Sequence, residues 1–395
     1  MSGLSEAIAG RRVLVCVGSG GVGKTSVAAA LGLARALEGG RVLVCTIDPA
    51  RRLASAMGLG ALGNLEARVP DHAFSEAGLA PRGELFAMML DVKRTWDDLV
   101  TRHAPDPVRR DRILRNRLYQ QMSSALAGSQ EYMAMEKLHE LATARDYDLI
   151  VLDTPPTAHA LDFLDAPDRI LDFLGNDAAR TLLAPAVGAG KLGLRLAQLG
   201  SSYVAKTLAR FTGAALLADL GEFMAGFSGM YEGFQERAAA VRRLLASPTT
   251  GFVLVASASP LSIDEALAFH ERLHAEGLPV AGLVANRVTP DLCAGAPWPG
   301  EVAGLAALRA ALPDEGPLCP RLATTLDEHQ RLATADAASL RRLFAAIPGP
   351  RAVVPRLEQD VHDLAGLAEL ARWLDGAAPD GGDGPGAVPD PAPVA

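Results

Sequence analysis

Cysteine is scarce in this 395-residue chain: four residues, at 16, 45, 293 and 319, with no paired spacing. The spacing signals neither a disulfide framework nor a cysteine-built zinc site. Cys16 and Cys45 fall inside apolar strand patterns, where a free thiol behaves as a small hydrophobe. Aromatic residues make up only 5% of the chain, so the expected core is aliphatic. A basic excess is also missing. The formal net charge is −8 and the Arg pairs are scattered, which argues against a general nucleic-acid binder, and no nucleic-acid partner is expected. No uncharged apolar run approaches the length of a membrane span, and residues 1–12 hold no apolar signal core. The expected location is cytoplasmic.

What the chain does contain is a strand–helix alternation. Residues 12–17 read as a β-branched strand, followed by a Gly-rich turn and an Ala/Leu helix over 24–37. Gly39-Gly40 ends that helix and residues 41–47 form a second apolar strand, the spacing of a βαβ unit with a parallel sheet. Further strands are expected at 85–90, 147–152, 251–256, 280–285 and 352–354. A helix over 262–275 starts at a candidate N-cap, Ser262. The expected fold class is α/β, a doubly wound, mostly parallel sheet of the P-loop NTPase type with an inserted helical subdomain. Residues 1–164 form the first part of the core, with a helical segment at 93–145. Residues 165–246 form a helical insertion, 247–375 the second part of the core, and 376–395 a Gly/Pro/Asp-rich tail with too little apolar surface to fold.

The run Gly18, Ser19, Gly20, Gly21, Val22, Gly23, Lys24, Thr25 satisfies G-x-x-x-x-G-K-[ST] between a strand and a helix. Glycines let successive N–H groups turn inward as an anion nest at the positive end of the helix, which Ser26 continues. Lys24 adds a point charge at the β/γ-phosphates, and the Thr25 hydroxyl is a Mg²⁺ ligand. Gly18, Gly20 and Gly23 also spell G-x-G-x-x-G, and Asp48 ends the second strand, as a dinucleotide-binding fold would require. Lys24-Thr25 discriminates, because a pyrophosphate fingerprint needs neither residue. The expected ligands are ATP and Mg²⁺.

Downstream, residues 148–156 (D-L-I-V-L-D-T-P-P) look like a buried strand carrying Asp153 to the C-terminal edge of the sheet, the Walker-B position for Mg²⁺. Asp48 is placed to reach a water in line with the γ-phosphate, or else to cap the following helix. Asn286, at the end of a late strand, either reads the adenine edge or forms a turn. In the insertion, Leu216, Leu220, Phe223, Phe227, Met230 and Phe234 recur at helical spacing. That face is either a groove for a client or part of the core.

Together these segments resemble the ArsA/Get family, the arsenite-pump ATPases and tail-anchored-protein targeting factors. The resemblance runs over residues 12–374. It rests on the loop through Thr25, on T-I-D-P-A at 46–50, and on D-T-P-P-T-A-H at 153–159. Residues 119–138 and the A-R-R-L after Asp48 are similar to a bacterial, actinobacterial-type branch. The resemblance implies a Mg²⁺-dependent ATPase working as a nucleotide-gated dimer, with Asp48 orienting the attacking water and Asn286 at the adenine. It also implies a homodimer, or a heterodimer with a paralogue, and a membrane-protein or pump partner.

Four features depart from that pattern. Ser19 stands where the family has its signature lysine. The targeting factors' C-x-x-C pair and the arsenite pumps' cysteine triad have no counterpart. Ala158 replaces a usual glycine in the second switch. The expected activity is ATP hydrolysis coupled to a client- or membrane-partner-binding helical segment. The alternative is a nucleotide-gated binding module with little turnover, paired with a lysine-bearing paralogue.

Overall fold

Among the described residues of the computed structural model, eight strands form one sheet. The structure describes residues 4–47, 52–60, 62–125, 129–154, 230–293, 298–315 and 317–376. In chain order the first half comprises α1 (Leu4–Ile8), β1 (Val13–Val17), α2 (Lys24–Leu37), β2 (Arg41–Thr46) and α3 (Arg52–Ala56). It continues with β3 (Ala67–Arg68), α4 (Asp71–Glu76), β4 (Glu84–Met89), α5 (Val92–His103), α6 (Pro107–Arg115), α7 (Arg117–Ala125), α8 (Ser129–Ala144) and β5 (Leu149–Asp153). The second half comprises α9 (Tyr231–Leu245), β6 (Thr250–Ala256), α10 (Pro260–Ala275), β7 (Val280–Val288), α11 (Glu301–Ala311), α12 (Cys319–Ala346), β8 (Arg351–Pro355) and α13 (Leu364–Leu374).

The strands lie in the order β3-β4-β2-β5-β1-β6-β7-β8, and the central ladder is parallel. β1 pairs with β5 on one side and β6 on the other, β2 with β5, β6 with β7, and β7 with β8. The short edge strand β3, which the sequence reading did not contain, pairs antiparallel with β4. Val13–Val17 and Leu149–Asp153 are buried at every position, as strands covered on both faces must be. Such runs lack the polar alternation of a one-sided strand, and their side chains are aliphatic, with Cys16 and Cys45 buried among them.

Helix α2 packs its Ala/Leu face on the sheet and on α13, and its mid-helix Gly32 allows the close approach. A Cβ there would lie 2.5 Å from Val44 Cγ2. Helix α10 starts earlier than its sequence suggests. Pro260 occupies the first turn and the N-cap is Ser259, whose hydroxyl accepts from the Ser262 amide, so Ser262 lies inside the helix rather than capping it. A Pro at N1 presets the helical φ and has no N–H to satisfy.

The chain divides into two compact units. The first holds the sheet and comprises Met1–Met88, Asp146–Ala160 and Ala246–Ala395. The second comprises Met89–Arg145 and Leu161–Leu245, and past Met89, the last residue of β4, its described secondary structure is helical. Inside it, Trp96, Tyr132 and Phe234 form a triangle with ring centroids 6.1–6.3 Å apart. Beside them a nearly buried ion pair, Arg237 Nε to Glu136 Oε1 at 2.8 Å, joins α9 to α8. Burial pushes the Glu136 carboxyl up, and the Arg237 charge opposes that shift. Met230 and Phe234 of the expected apolar stripe are buried, while Leu216, Leu220, Phe223 and Phe227 lie outside the described residues.

Candidate functional site

The loop between β1 and α2 turns on three glycines with left-handed or otherwise positive φ: Gly18 (154°), Gly21 (78°) and Gly23 (93°). Two of these positions have no room for a side chain. A Cβ on Gly18 would stand 2.0 Å from the Val255 carbonyl oxygen, and one on Gly23 would stand 2.4 Å from Asn286 Nδ2. Glycine is therefore required there both by backbone conformation and by space.

Lys24 is buried, and its Nζ donates to the carbonyls of Gly18 and Ser19 at 2.9 and 2.8 Å. The ammonium thus lies folded across its own loop. Thr25 Oγ1 donates to Asp153 Oδ2 at 2.6 Å, and Thr46 Oγ1 at the end of β2 donates to the same oxygen at 2.8 Å. Asp153 is fully buried at the end of β5, where register with Cys16 and Thr46 brings three strand ends together. The Thr154 hydroxyl continues this edge by donating to the Cys16 carbonyl at 2.8 Å. Burial raises the Cys16 thiol well above its ordinary value. The Asp153 charge adds to that rise and Lys24 opposes it.

Thr25, Thr46 and Asp153 offer oxygen alone, hard donors that fit Mg²⁺ rather than a thiophilic metal. Among the described residues no group of three His, Cys, Asp or Glu is placed to hold a metal unaided. A cation at Thr25 and Asp153 would therefore complete its shell with water or phosphate oxygens, as Mg²⁺ ordinarily does.

Two cavities flank the loop. One, of about 950 Å³, is lined by Gly23, Thr25, Ser26, Asn286, Arg287 and the segment after β8, including Arg356, Gln359 and Asp360. The other, of about 450 Å³, is lined by Ser19, Gly20, Gly21 and Val22 together with Ser257, Ser259, Ser262, Arg287 and Arg356. Ser19 is not directed into open solvent: its Oγ lies 2.9 Å from Ser262 Oγ, which in turn accepts from the Ser257 amide.

Asn286 donates from Nδ2 to the Val22 carbonyl at 2.7 Å and accepts at Oδ1 from the Arg287 amide. Arg287, exposed, donates from Nη1 to the Gly21 carbonyl at 2.8 Å. The structure thus brings residues 18–26, Asp153 and Asn286 to one sheet edge. Asp48 lies outside the described residues, as does Ala158. Thr46, Arg287 and Arg356 were given no role by the sequence reading. For Thr46 a usable signal existed, a hydroxyl at the very end of a strand two residues before Asp48.

The family model for anion-transporting ATPases of the ArsA type matches residues 11–295. The chain belongs to this family. Within it, the ArsA-family chain is 29% identical to ATPase GET3A of Arabidopsis thaliana over 152 residues, 38% of this chain and 36% of that protein. It is 28% identical to ATPase GET3 of Rhodotorula glutinis over 186 residues, 47% of each. An uncharacterized protein of Streptomyces coelicolor is 28% identical over 291 residues, 71% of this chain and 63% of that protein. The chain therefore spans less than half the length of GET3A and GET3 in these alignments. Among the described residues of this ArsA-family chain no helix is long and apolar enough to cross a membrane.

Proposed function

We propose that the chain binds MgATP at the loop through Lys24 and hydrolyses it, coupling nucleotide state to a client or membrane partner at segment 165–246. The observation that supports this best is the joining of Thr25 to Asp153 at 2.6 Å, directly behind a glycine turn that excludes side chains. Bound MgATP would supply the γ-phosphoryl group and the divalent charge that offsets its oxygens. The loop amides bind the phosphates, and Lys24 exchanges the Gly18 and Ser19 carbonyls for phosphate oxygen. Thr25 and Asp153 hold the cation. Asp48 orients the attacking water. Asn286 has spent one N–H and one lone pair, which leaves one donor and one acceptor for an adenine edge.

A second reading, a nucleotide-gated module with little turnover of its own, draws on Ser19. Its hydroxyl is neutral and lies against Ser262, so this loop position offers no cation to a partner's phosphates. Catalysis in that reading waits for Arg51 or Arg52, or for a lysine-bearing paralogue in a heterodimer.

Steady-state phosphate release and ATP binding, on the wild type and two variants, test the proposal. Lys24→Ala is expected to abolish tight ATP binding. Asp48→Asn is expected to keep binding and to lower turnover by about 10²–10⁴-fold, the range of a lost general-base or orienting group. An Asp48→Asn enzyme with unchanged kcat would refute the role given to Asp48. Turnover that stays near zero until a paralogue is added would favour the second reading.

A further inference from the structure

We propose that Arg287 is a positioning residue of the phosphate loop, aiming loop amides at the phosphates from outside the loop. The inference rests on reading this loop as the phosphate site. Arg287 is the one non-glycine among the described residues with positive φ, at 59°. It sits where β7 and β8 lose register between Ala285 and Val288. A bulge of this kind re-aims a side chain at a sheet edge, and a left-handed arginine persists only where its surroundings hold it.

Here the surroundings are the loop. Arg287 Nη1 holds the Gly21 carbonyl, and the adjacent Asn286 Nδ2 holds the Val22 carbonyl. No peptide bond among the described residues is cis. In a planar trans peptide the C=O and N–H point in opposite directions. Pinning the Gly21 oxygen therefore fixes the direction of the Val22 N–H, and pinning the Val22 oxygen fixes that of the Gly23 N–H. Both amides face away from the β7 edge, as an anion nest before α2 requires. Lys24 meanwhile holds the Gly18 and Ser19 carbonyls. The loop's peptides are thus oriented from two sides, and Arg287 supplies the contact that glycine-rich sequence alone leaves unset.

The test measures affinity for ADP and for adenosine, and the apo melting temperature, in Arg287→Ala and Arg287→Gly, with Lys24→Ala as the control. Arg287→Gly removes the guanidinium while relieving the backbone, so it should melt closer to the wild type than Arg287→Ala, which loses the same contact and keeps the positive φ. Both Arg287 variants should bind ADP about tenfold more weakly and adenosine unchanged, because a loop that is no longer held must be ordered by the phosphates themselves. The deficit should persist from about 0.1 M to about 1 M salt, over which the screening length falls from about 10 to about 3 Å. A deficit that disappears in high salt would mean direct charge attraction and would overturn the positioning role. Wild-type ADP affinity in both Arg287 variants, or equal losses for adenosine and ADP, would overturn it too. Wild-type ADP binding by Lys24→Ala would instead remove the phosphate-site reading beneath it.

Discussion

Thiols show how a residue's depth decides its chemistry. Cys16, Cys45 and Cys319 are buried and Cys293 is half-buried. Because burial raises the Cys16 thiol above 9.0, the folded chain keeps a proton there that the unfolded chain loses above that pH. Stability should therefore fall as pH rises past 9, and Cys16→Ala should flatten that fall in urea-unfolding midpoints. An unchanged alkaline slope would count against it. Depth also bears on arsenite, which needs convergent, accessible thiolates. Cys16 and Cys45 lie in strands separated by β5, and the Cys319 Sγ faces the carbonyls of Glu315 and Leu312. As(III) should not stimulate phosphate release, and serine at 293 and 319 should leave activity intact. Stimulation that vanishes in that double variant would reverse the conclusion.

Helix α2 carries a glycine where propensity argues for alanine, by about 1 kcal/mol. The Val44 methyl 2.5 Å from the would-be Cβ belongs to a stiff β-branched side chain, so the clash has no inexpensive outlet. Gly32→Ala should destabilise despite its better propensity, by about 1–3 kcal/mol before that gain is subtracted. A raised melting temperature would show that sheet and helix can separate. Helix α2 itself was legible end to end, since the loop glycine starts it and Gly39-Gly40 stops it. The inner strands were legible within a few residues because continuous apolar runs bounded by turns leave few alternatives. The two-residue β3 carries no period, and the start of α10 is ambiguous in sequence because Ser259 and Ser262 are both acceptable caps, with Pro260 in the first turn deciding for Ser259. At the candidate site, the glycine turn between β1 and α2 was legible because its residues are contiguous in the chain. Arg287 was not, because its role arises from a bulge and a contact 266 residues away in the chain.

On the scale of the molecule, the sheet-bearing unit is assembled from three stretches of chain, and the helical unit from the two stretches between them. If segment 165–246 is a groove gated by nucleotide, hydrogen exchange across residues 180–240 should differ between ADP and ATP states, since a ligand shifts only states it binds differently. High, identical protection in both states would mean a static core and would end the groove proposal. The same interleaving sets a clock on biosynthesis. β1 leads into the glycine loop, yet its ladder partners are residues 150–153 on one side and 250–254 on the other. At about 5–20 residues per second, a nascent β1 waits on the order of ten to fifty seconds with an unpaired edge. The strand that leads into the glycine loop is thus exposed early and completed late, an open edge while the chain is still being made.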